Sequence, residues 1–147
     1  WGDLDYLIID LPPGTSDVSM TLAQDVMLSG IVIATTPQEV SLEDARKAVA
    51  MFDKLGVSIF GIIENMSSEI FGEGGGENAA DDLGLDFLGS IPLEKELRIG
   101  SDKGVPLTAI NIEHPVSIKF LEIAKKIDQR CVIVNEQSAS LQTRDLT

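Results

Sequence analysis

Short apolar runs alternate with helical segments along this chain, and this order constrains the fold more than any other feature. Four runs are typical of strands, at residues 7–9, 31–36, 57–63 and 86–91. The segments between them carry apolar residues at a spacing of three to four, which is typical of amphipathic helices. Alternating strands and helices with apolar strands predict an α/β fold, in which a parallel sheet is covered by helices on both faces.

Capping and turn residues place the ends of the helices. Ser41 predicts the start of one helix, with Asp44 at the spacing of a capping box, and Gly56 predicts its end. One further helix is predicted to start at residues 15–17, and others are predicted at residues 78–83, 94–102 and 115–130. Residues 135–147 are polar and lack periodicity, so we expect a mobile tail after a single domain at residues 1–134.

The composition excludes several classes of partner. The 147 residues include 24 Asp and Glu against 11 Lys and Arg, which gives a formal net charge of −13. This balance argues against nucleic acid and anionic membranes, because binding to both depends on clustered cations. No apolar run reaches the roughly 20 residues of a membrane span, and the single cysteine, Cys131, cannot form an internal disulfide. We therefore expect a cytoplasmic protein.

An acid follows the first apolar run directly. Asp10 stands where residues 7–9 end, and a Pro-Pro-Gly turn comes two residues later. Open α/β sheets build their ligand sites at the carboxyl ends of strands, and a carboxylate beside free backbone N–H groups suits a magnesium-bound phosphate. Asp and Pro-Gly are also ordinary turn residues, so the same stretch fits a simple strand stop.

Five stretches of sequence carry a family resemblance. They read WGDLDYLIIDLPPGTSD, IVIATTPQEVSLEDARKAVAMFDKLGV, GIIENMS, IFGEGGGE and LGSIPLEKELR, between Trp1 and about Ile110. In order and spacing they resemble the carboxyl half of the Mrp-type P-loop ATPases. Proteins of this type are known as iron–sulfur cluster carriers and are relatives of the MinD/ParA ATPases. The resemblance implies a MinD/ParA-like fold and an intact protein that binds and hydrolyses Mg·ATP.

The resemblance assigns roles in ATP and Mg²⁺ binding to the first stretch. Asp10 matches the Walker B acid, which holds Mg²⁺ through a water molecule. The switch that senses the γ-phosphate is matched by Pro12, Pro13, Gly14 and Thr15. Within it, the resemblance implies catalytic roles for Gly14, through its backbone N–H, and for Thr15.

Two later residues match the part of the family's site that holds adenine. Asn65 matches the adenine-recognising Asn, whose amide donates and accepts together, as an adenine edge requires. Pro92 matches the loop that lines the adenine ring through backbone groups. Without the resemblance, Asn65 is an ordinary turn amide and Pro92 an ordinary strand stop.

The family's phosphate loop has no counterpart in this chain. Neither GKT nor GKS occurs, and the Lys and hydroxyl of that motif supply most of the electrostatic stabilisation of phosphoryl transfer. Since the chain also begins at Trp1 without an initiator Met, we expect a fragment whose phosphate-loop portion lies upstream. The family places the phosphate-loop strand beside the Walker B strand, so the fragment should have a gap in its sheet, exposed strand edges and no ATPase activity.

The cysteine pair of the cluster carriers is absent too. Those members have C-x-x-C between the ENMS and IFGEGGG segments, and residues 66–70 contain no cysteine here. A 4Fe–4S cluster that bridges a homodimer needs two thiolates from each subunit, so an iron–sulfur cluster is doubtful for this chain. The resemblance implies a homodimer with iron–sulfur apoproteins as targets. The alternatives are a MinD/ParA-like regulator or scaffold without a cluster, and a non-enzymatic interaction module.

Three further features have plain interpretations. Residues 72–76 are rich in glycine but fail the dinucleotide fingerprint, because Glu77 stands where a glycine is needed, and they fit a flexible connector that opens a short helix. His114 has no Cys or His neighbours and fits a surface residue at a helix start. Cys131 fits a small buried apolar residue.

Overall fold

The computed structural model describes residues 2–12 and 16–144, with side chains described as far as residue 136. Three strands within these residues form one parallel sheet, in the order β1 (Ile31–Thr35), β2 (Ile59–Ser67) and β3 (Phe87–Pro92). The β-branched and apolar residues of these strands suit a sheet that is buried on both faces. The predicted parallel α/β sheet is confirmed, with three of the four predicted strands.

Six helices lie in the described part of the chain. They are α1 (Asp17–Asp25), α2 (Glu39–Lys54), α3 (Gly75–Leu83), α4 (Lys95–Asp102), α5 (Leu107–Ile110) and α6 (Pro115–Arg144). The helix start predicted at residues 15–17 is confirmed, and Ser16 is the cap, since its hydroxyl accepts a hydrogen bond from the backbone N–H of Ser19. The predicted cap at Ser41 is wrong, because α2 begins earlier with Gln38 as its cap. The Ser41 hydroxyl instead accepts a 2.7 Å hydrogen bond from Thr36 Oγ1 at the end of β1.

Apolar side chains cover both faces of the sheet. On one face the core contains Ile31, Ile33 and Ile62 together with Leu42, Val49 and Phe52 of α2 and Ala79 and Ala80 of α3. On the other face it contains Leu88 and Ile91 together with Leu107 of α5 and Val116 and Ile123 of α6. Val32 packs against the second cluster whereas its neighbours in β1 belong to the first, as the alternation of a strand requires. The expectation of helices on both faces is confirmed.

The first predicted strand is not formed. Residues 5–10 carry no strand, and the side chains of Leu7, Ile8 and Ile9 are 54%, 91% and 41% exposed. The physical reason is a missing neighbour: β1 pairs with β2 on one side, and no strand of the described residues lies on its other side. A strand without a partner cannot satisfy its backbone groups by pairing. Leu11, by contrast, packs against the core beside α2 and α3.

The last helix is longer than predicted. α6 continues to Arg144 instead of ending near residue 130, so residues 135–144 are helical. The reason is that residues 131–144 contain neither Pro nor Gly, the residues that stop a helix. The mobility of residues 135–147 and the domain boundary after residue 134 stay predictions. None of the described helices, α6 included, is long and apolar enough to cross a membrane.

Candidate functional site

The strands run parallel, so their carboxyl ends lie at the same edge of the sheet. β2 extends four residues beyond its predicted end and therefore includes Asn65, and Pro92 is the last residue of β3. Across the ladder Asn65 pairs with Ile91 and Ser67 pairs with Pro92. The backbone N–H of Leu93 also donates to the carbonyl oxygen of Ser67 at 2.9 Å. The structure thus brings together the two residues that the sequence predicts for the base.

A bulge in β2 separates Asn65 from Ser67. The register slips between them, and Met66 has a φ of 59°, the one positive φ of a non-glycine residue in the described chain. This left-handed conformation costs about 1–2 kcal/mol for an L-residue, and such conformations cluster at ligand sites. Asn65 is half-buried, and its side-chain amide makes no hydrogen bond with the residues that the structure describes. Its donor and acceptor atoms are therefore not occupied by any of the described residues.

The residue before Asn65 is a buried carboxylate that sequence reasoning missed. Glu64 is 1% exposed. Its carboxylate accepts hydrogen bonds from the backbone N–H groups of Gly74, at 3.1 Å, and Gly76, at 2.7 Å, and from the hydroxyl of Ser90, at 3.2 Å. These three donors compensate for the loss of water around the carboxylate. The signal in the sequence is an acid inside an apolar strand, followed by glycines that open a helix.

The glycines that open α3 are closely packed. A Cβ on Gly75 would lie 2.4 Å from the carbonyl oxygen of Pro37, and a Cβ on Gly76 would lie 2.9 Å from the Cβ of Glu64. Gly74, the N-cap residue, has a φ of 79°. The prediction that this run opens a short helix is confirmed. Gly75 and Gly76 lie against the ends of β1 and β2, whereas a Cβ on Gly74 would meet nothing within 4 Å, and the flexibility of the run stays a prediction.

Of the residues predicted for the phosphate end, the structure describes Asp10 and Pro12. Asp10 is exposed and forms no hydrogen bond or ion pair within the described parts of the chain. Pro12 is exposed as well, whereas Pro13, Gly14 and Thr15 lie outside the described residues. No group of three or more His, Cys, Asp or Glu side chains suited to a metal ion occurs among residues 2–12 and 16–136. The roles of these residues in binding Mg²⁺ and phosphate stay predictions.

Asp128 of α6 contributes to raised pKa values at two side chains, Tyr6 and Cys131. The hydroxyl of Tyr6 donates to the carboxylate of Asp128, and this hydrogen bond, followed by desolvation, raises the pKa of Tyr6. One turn further along, burial raises the pKa of the Cys131 thiol, and the charge of Asp128 adds to the effect. Cys131 is half-buried and forms no disulfide within the described residues. Its interpretation as a buried residue is therefore confirmed only in part.

His114 does more than occupy the surface at the start of a helix. Its Nδ1 accepts a hydrogen bond from the backbone N–H of Val116 at 3.2 Å, and its Nε2 lies 3.3 Å from a carboxylate oxygen of Glu96. Its side chain is only 18% exposed. His114 therefore connects the start of α6 to α4, the helix that follows Pro92. Its predicted place at a helix start is confirmed, whereas its predicted exposure at the surface is wrong.

Comparison with known proteins identifies the family that the chain resembles. Residues 1–128 match the family described as ParA: NUBPL iron-transfer P-loop NTPase. The chain is 48% identical over 138 residues to the iron-sulfur cluster carrier protein of Synechocystis, a match that covers 86% of the chain and 39% of that protein. Eight such relatives are covered over 38% to 48% of their length, so the chain spans less than half of each.

Solved structures show the same fold. The septum site-determining protein MinD of Pyrococcus horikoshii, complexed with Mg-ADP, superposes with a TM-score of 0.72 at 28% identity, over 90% of the chain and 54% of that protein. A nucleotide-binding protein of Archaeoglobus fulgidus in complex with ADP superposes with a TM-score of 0.62 at 38% identity, over 71% of the chain and 47% of that protein. The expected MinD-like P-loop NTPase fold is confirmed.

Proposed function

The chain belongs to the NUBPL iron-transfer P-loop NTPases of the ParA family, and we propose that it forms the base-binding half of an ATP site. One observation carries this proposal: at the carboxyl edge of the sheet the half-buried Asn65 pairs with Ile91, the residue directly before Pro92. An amide matches adenine because it donates and accepts on one edge. The ADP complexes of the Pyrococcus and Archaeoglobus proteins support a nucleotide as the ligand.

The proposal extends to a complete protein with an upstream phosphate-loop portion. In that protein Asp10 would hold Mg²⁺ through a water molecule, and Gly14 and Thr15 would contact the γ-phosphate behind Pro12 and Pro13. The absence of GKT and GKS from the chain, the unpaired edge of β1 and the partial coverage of its relatives support this view. Phosphoryl transfer depends on positioning and charge neutralisation. The 147-residue chain should therefore hydrolyse no ATP, and Asp10-dependent turnover by it would contradict the proposal.

The complete protein would act in iron–sulfur cluster assembly or transfer, as a cytoplasmic homodimer that delivers to apoproteins. Family membership supports this role. A regulator or scaffold of the MinD/ParA kind is the second candidate, favoured by residues 66–70, which contain no cysteine. Anaerobic analysis of iron and sulfide in the complete protein separates the two, because a carrier binds a stoichiometric cluster per dimer and a regulator binds none. If the chain is an interaction module instead, a separate phosphate-loop polypeptide will bind it and restore turnover.

Calorimetric titration of ADP tests the base-binding proposal. In the complete protein, Asn65→Ala should weaken ADP binding by about tenfold, because two hydrogen bonds to the base are lost. Asn78→Ala is the matched control, since Asn78 is an exposed amide on α3 and its loss should leave the affinity unchanged. Equal ADP affinities for the wild type and Asn65→Ala would rule out Asn65 as the base-binding residue.

A further inference from the structure

We propose that Glu64 is a positioning residue for base recognition, because its carboxylate closes the loop of residues 65–73, whose first residue, Asn65, still belongs to β2. This inference rests on the proposed nucleotide site and adds a residue to it. The chain leaves β2 after Ser67 and comes back to the sheet at the start of α3. There the backbone N–H groups of Gly74 and Gly76 donate hydrogen bonds to the carboxylate of Glu64. Asn65 therefore lies just inside a loop whose two ends meet at its own neighbour.

The loop is also closed internally. Ser68 and Gly72 form an antiparallel bridge. The backbone nitrogen of Ser68 lies 3.0 Å from the carbonyl oxygen of Gly72, and the nitrogen of Gly72 lies 2.8 Å from the carbonyl oxygen of Ser68. The hydroxyl of Ser68 accepts a further hydrogen bond from the backbone N–H of Phe71, at 3.2 Å. Since the tip of the loop is a compact unit, its orientation relative to the sheet depends on the two ends. Glu64 holds the second end, because it accepts the hydrogen bonds of Gly74 and Gly76.

Glu64 also connects the three strands. It pairs with Thr35 of β1 and with Ser90 of β3, and the hydroxyl of Ser90 donates to its carboxylate. Gly75, next to the two glycines that bind Glu64, lies against the carbonyl oxygen of Pro37, just after β1. The carboxylate thus holds the start of α3 against the sheet at the point where Asn65 and Pro92 meet.

A direct chemical role for Glu64 does not fit its surroundings. The side chain is 1% exposed, and both of its oxygens accept hydrogen bonds within the protein. A ligand at the edge of the sheet cannot displace these donors without leaving backbone N–H groups buried and unpaired. Glu64 consequently acts on a base through Asn65 and not by contact.

The test compares three probes on the complete protein: ADP, GDP and inorganic pyrophosphate. Glu64→Gln keeps the size of the side chain but turns one acceptor into a donor, so at least one backbone N–H loses its partner. We expect the preference for ADP over GDP to fall by about tenfold, while the affinity for pyrophosphate stays unchanged. The matched control is Glu69→Gln, an exposed acid at the tip of the same loop, which should change none of the three affinities.

Ser90→Ala provides a second, milder variant in case Glu64→Gln does not fold. It removes one donor to the carboxylate and leaves the charge in place. The preference for ADP over GDP should therefore fall, but by less than in Glu64→Gln. Unchanged preference in folded Glu64→Gln and Ser90→Ala would overturn the inference. An equal loss for all three probes would overturn it too, because it would mean a general structural role.

The same titrations separate this inference from the proposed function. A wild-type protein that binds pyrophosphate but shows no preference between ADP and GDP has no base-recognition site, and the proposed function fails together with the inference. A wild-type protein that prefers ADP, while Glu64→Gln keeps that preference in full, leaves the proposed function standing and removes the role of Glu64 alone.

Discussion

The backbone N–H of Gly76 donates a 2.7 Å hydrogen bond to the carboxylate of Glu64, and a Cβ on Gly76 would lie only 2.9 Å from the Cβ of Glu64. The hydrogen bond and the close approach have one cause, since the first turn of α3 rests directly on β2. A negative charge at the positive end of a helix is favourable. Glycine is required at position 76 because any side chain would separate the two elements.

Gly76→Ala should lower the free energy of unfolding of the chain by about 1–3 kcal/mol, the usual range for overpacking a tight site. The atoms that the new methyl group meets are the Cβ and Cα of a buried strand residue, which cannot rotate away. Chemical denaturation followed by circular dichroism measures the change. The exposed Asp81→Ala, in the same helix, is the control and should stay within about 0.5 kcal/mol of the wild type. An unchanged midpoint for Gly76→Ala would mean that α3 can shift away from β2 freely.

Features encoded by local sequence could be predicted well. The order of strands and helices follows from apolar periodicity, and the start of α1 follows from the capping residue types at positions 15–17. The adjacency of Asn65 and Pro92 follows from the parallel sheet, because both residues come at the carboxyl ends of strands. Local patterns and one topological rule are enough for each of these features.

Features that depend on distant partners could not be predicted. The sequence around Glu64 contains no sign of Ser90, which follows 26 residues later. The apolar run at residues 7–9 has the composition of a strand, but strand formation needs a neighbour that the described residues do not provide beside β1. The contact of His114 with Glu96 likewise arises only when α4 and α6 pack together.

The exposed apolar run at residues 7–9 predicts self-association of the 147-residue chain. Ile8 is 91% exposed, and β1 has one unpaired edge nearby in the described sheet order. Unpaired edges and exposed apolar strands are sites of aggregation. Ile8→Lys should reduce light scattering at a fixed protein concentration, because a charge opposes strand pairing.

The matched control for Ile8→Lys is Val40→Lys. Val40 is 80% exposed on α2, so the control adds the same charge to an apolar residue outside the 7–9 run. It should leave the scattering close to that of the wild type. A monomeric wild-type chain with a cooperative thermal transition would contradict the prediction of self-association.

The titration of Tyr6 reports on its contact with α6. The hydrogen bond to Asp128 raises the pKa of Tyr6 above its ordinary value of 10.0, which means that the folded state favours the neutral phenol. The stability from this contact is therefore present below the ordinary pKa and is lost as the pH rises through the raised pKa. Tyr6 is the single tyrosine of the chain, so phenolate absorbance measures its ionisation without interference.

Asp128→Ala should move the pKa of Tyr6 back toward its ordinary value, because the main cause of the shift is removed. Glu122→Ala is the control, since it removes an exposed acid from α6 and should leave the titration unchanged. The same titration curve for the wild type and Asp128→Ala would show that residues 2–12 are not held against α6 through Tyr6.

Cys131 should react slowly with iodoacetamide at neutral pH. Burial raises the pKa of its thiol, and the carboxylate of Asp128 raises it further, so the folded chain contains less of the thiolate that attacks the reagent. The rate should rise with pH, and the rise should come at a higher pH than for the same chain in denaturant, which serves as the control. Because the chain has one cysteine, mass spectrometry follows the reaction at that thiol alone. Equal rates for the folded and denatured chains at neutral pH would contradict the shift. Equal rates would also mean that the Cys131 thiol ionises easily in the folded chain, as a metal-binding thiolate must.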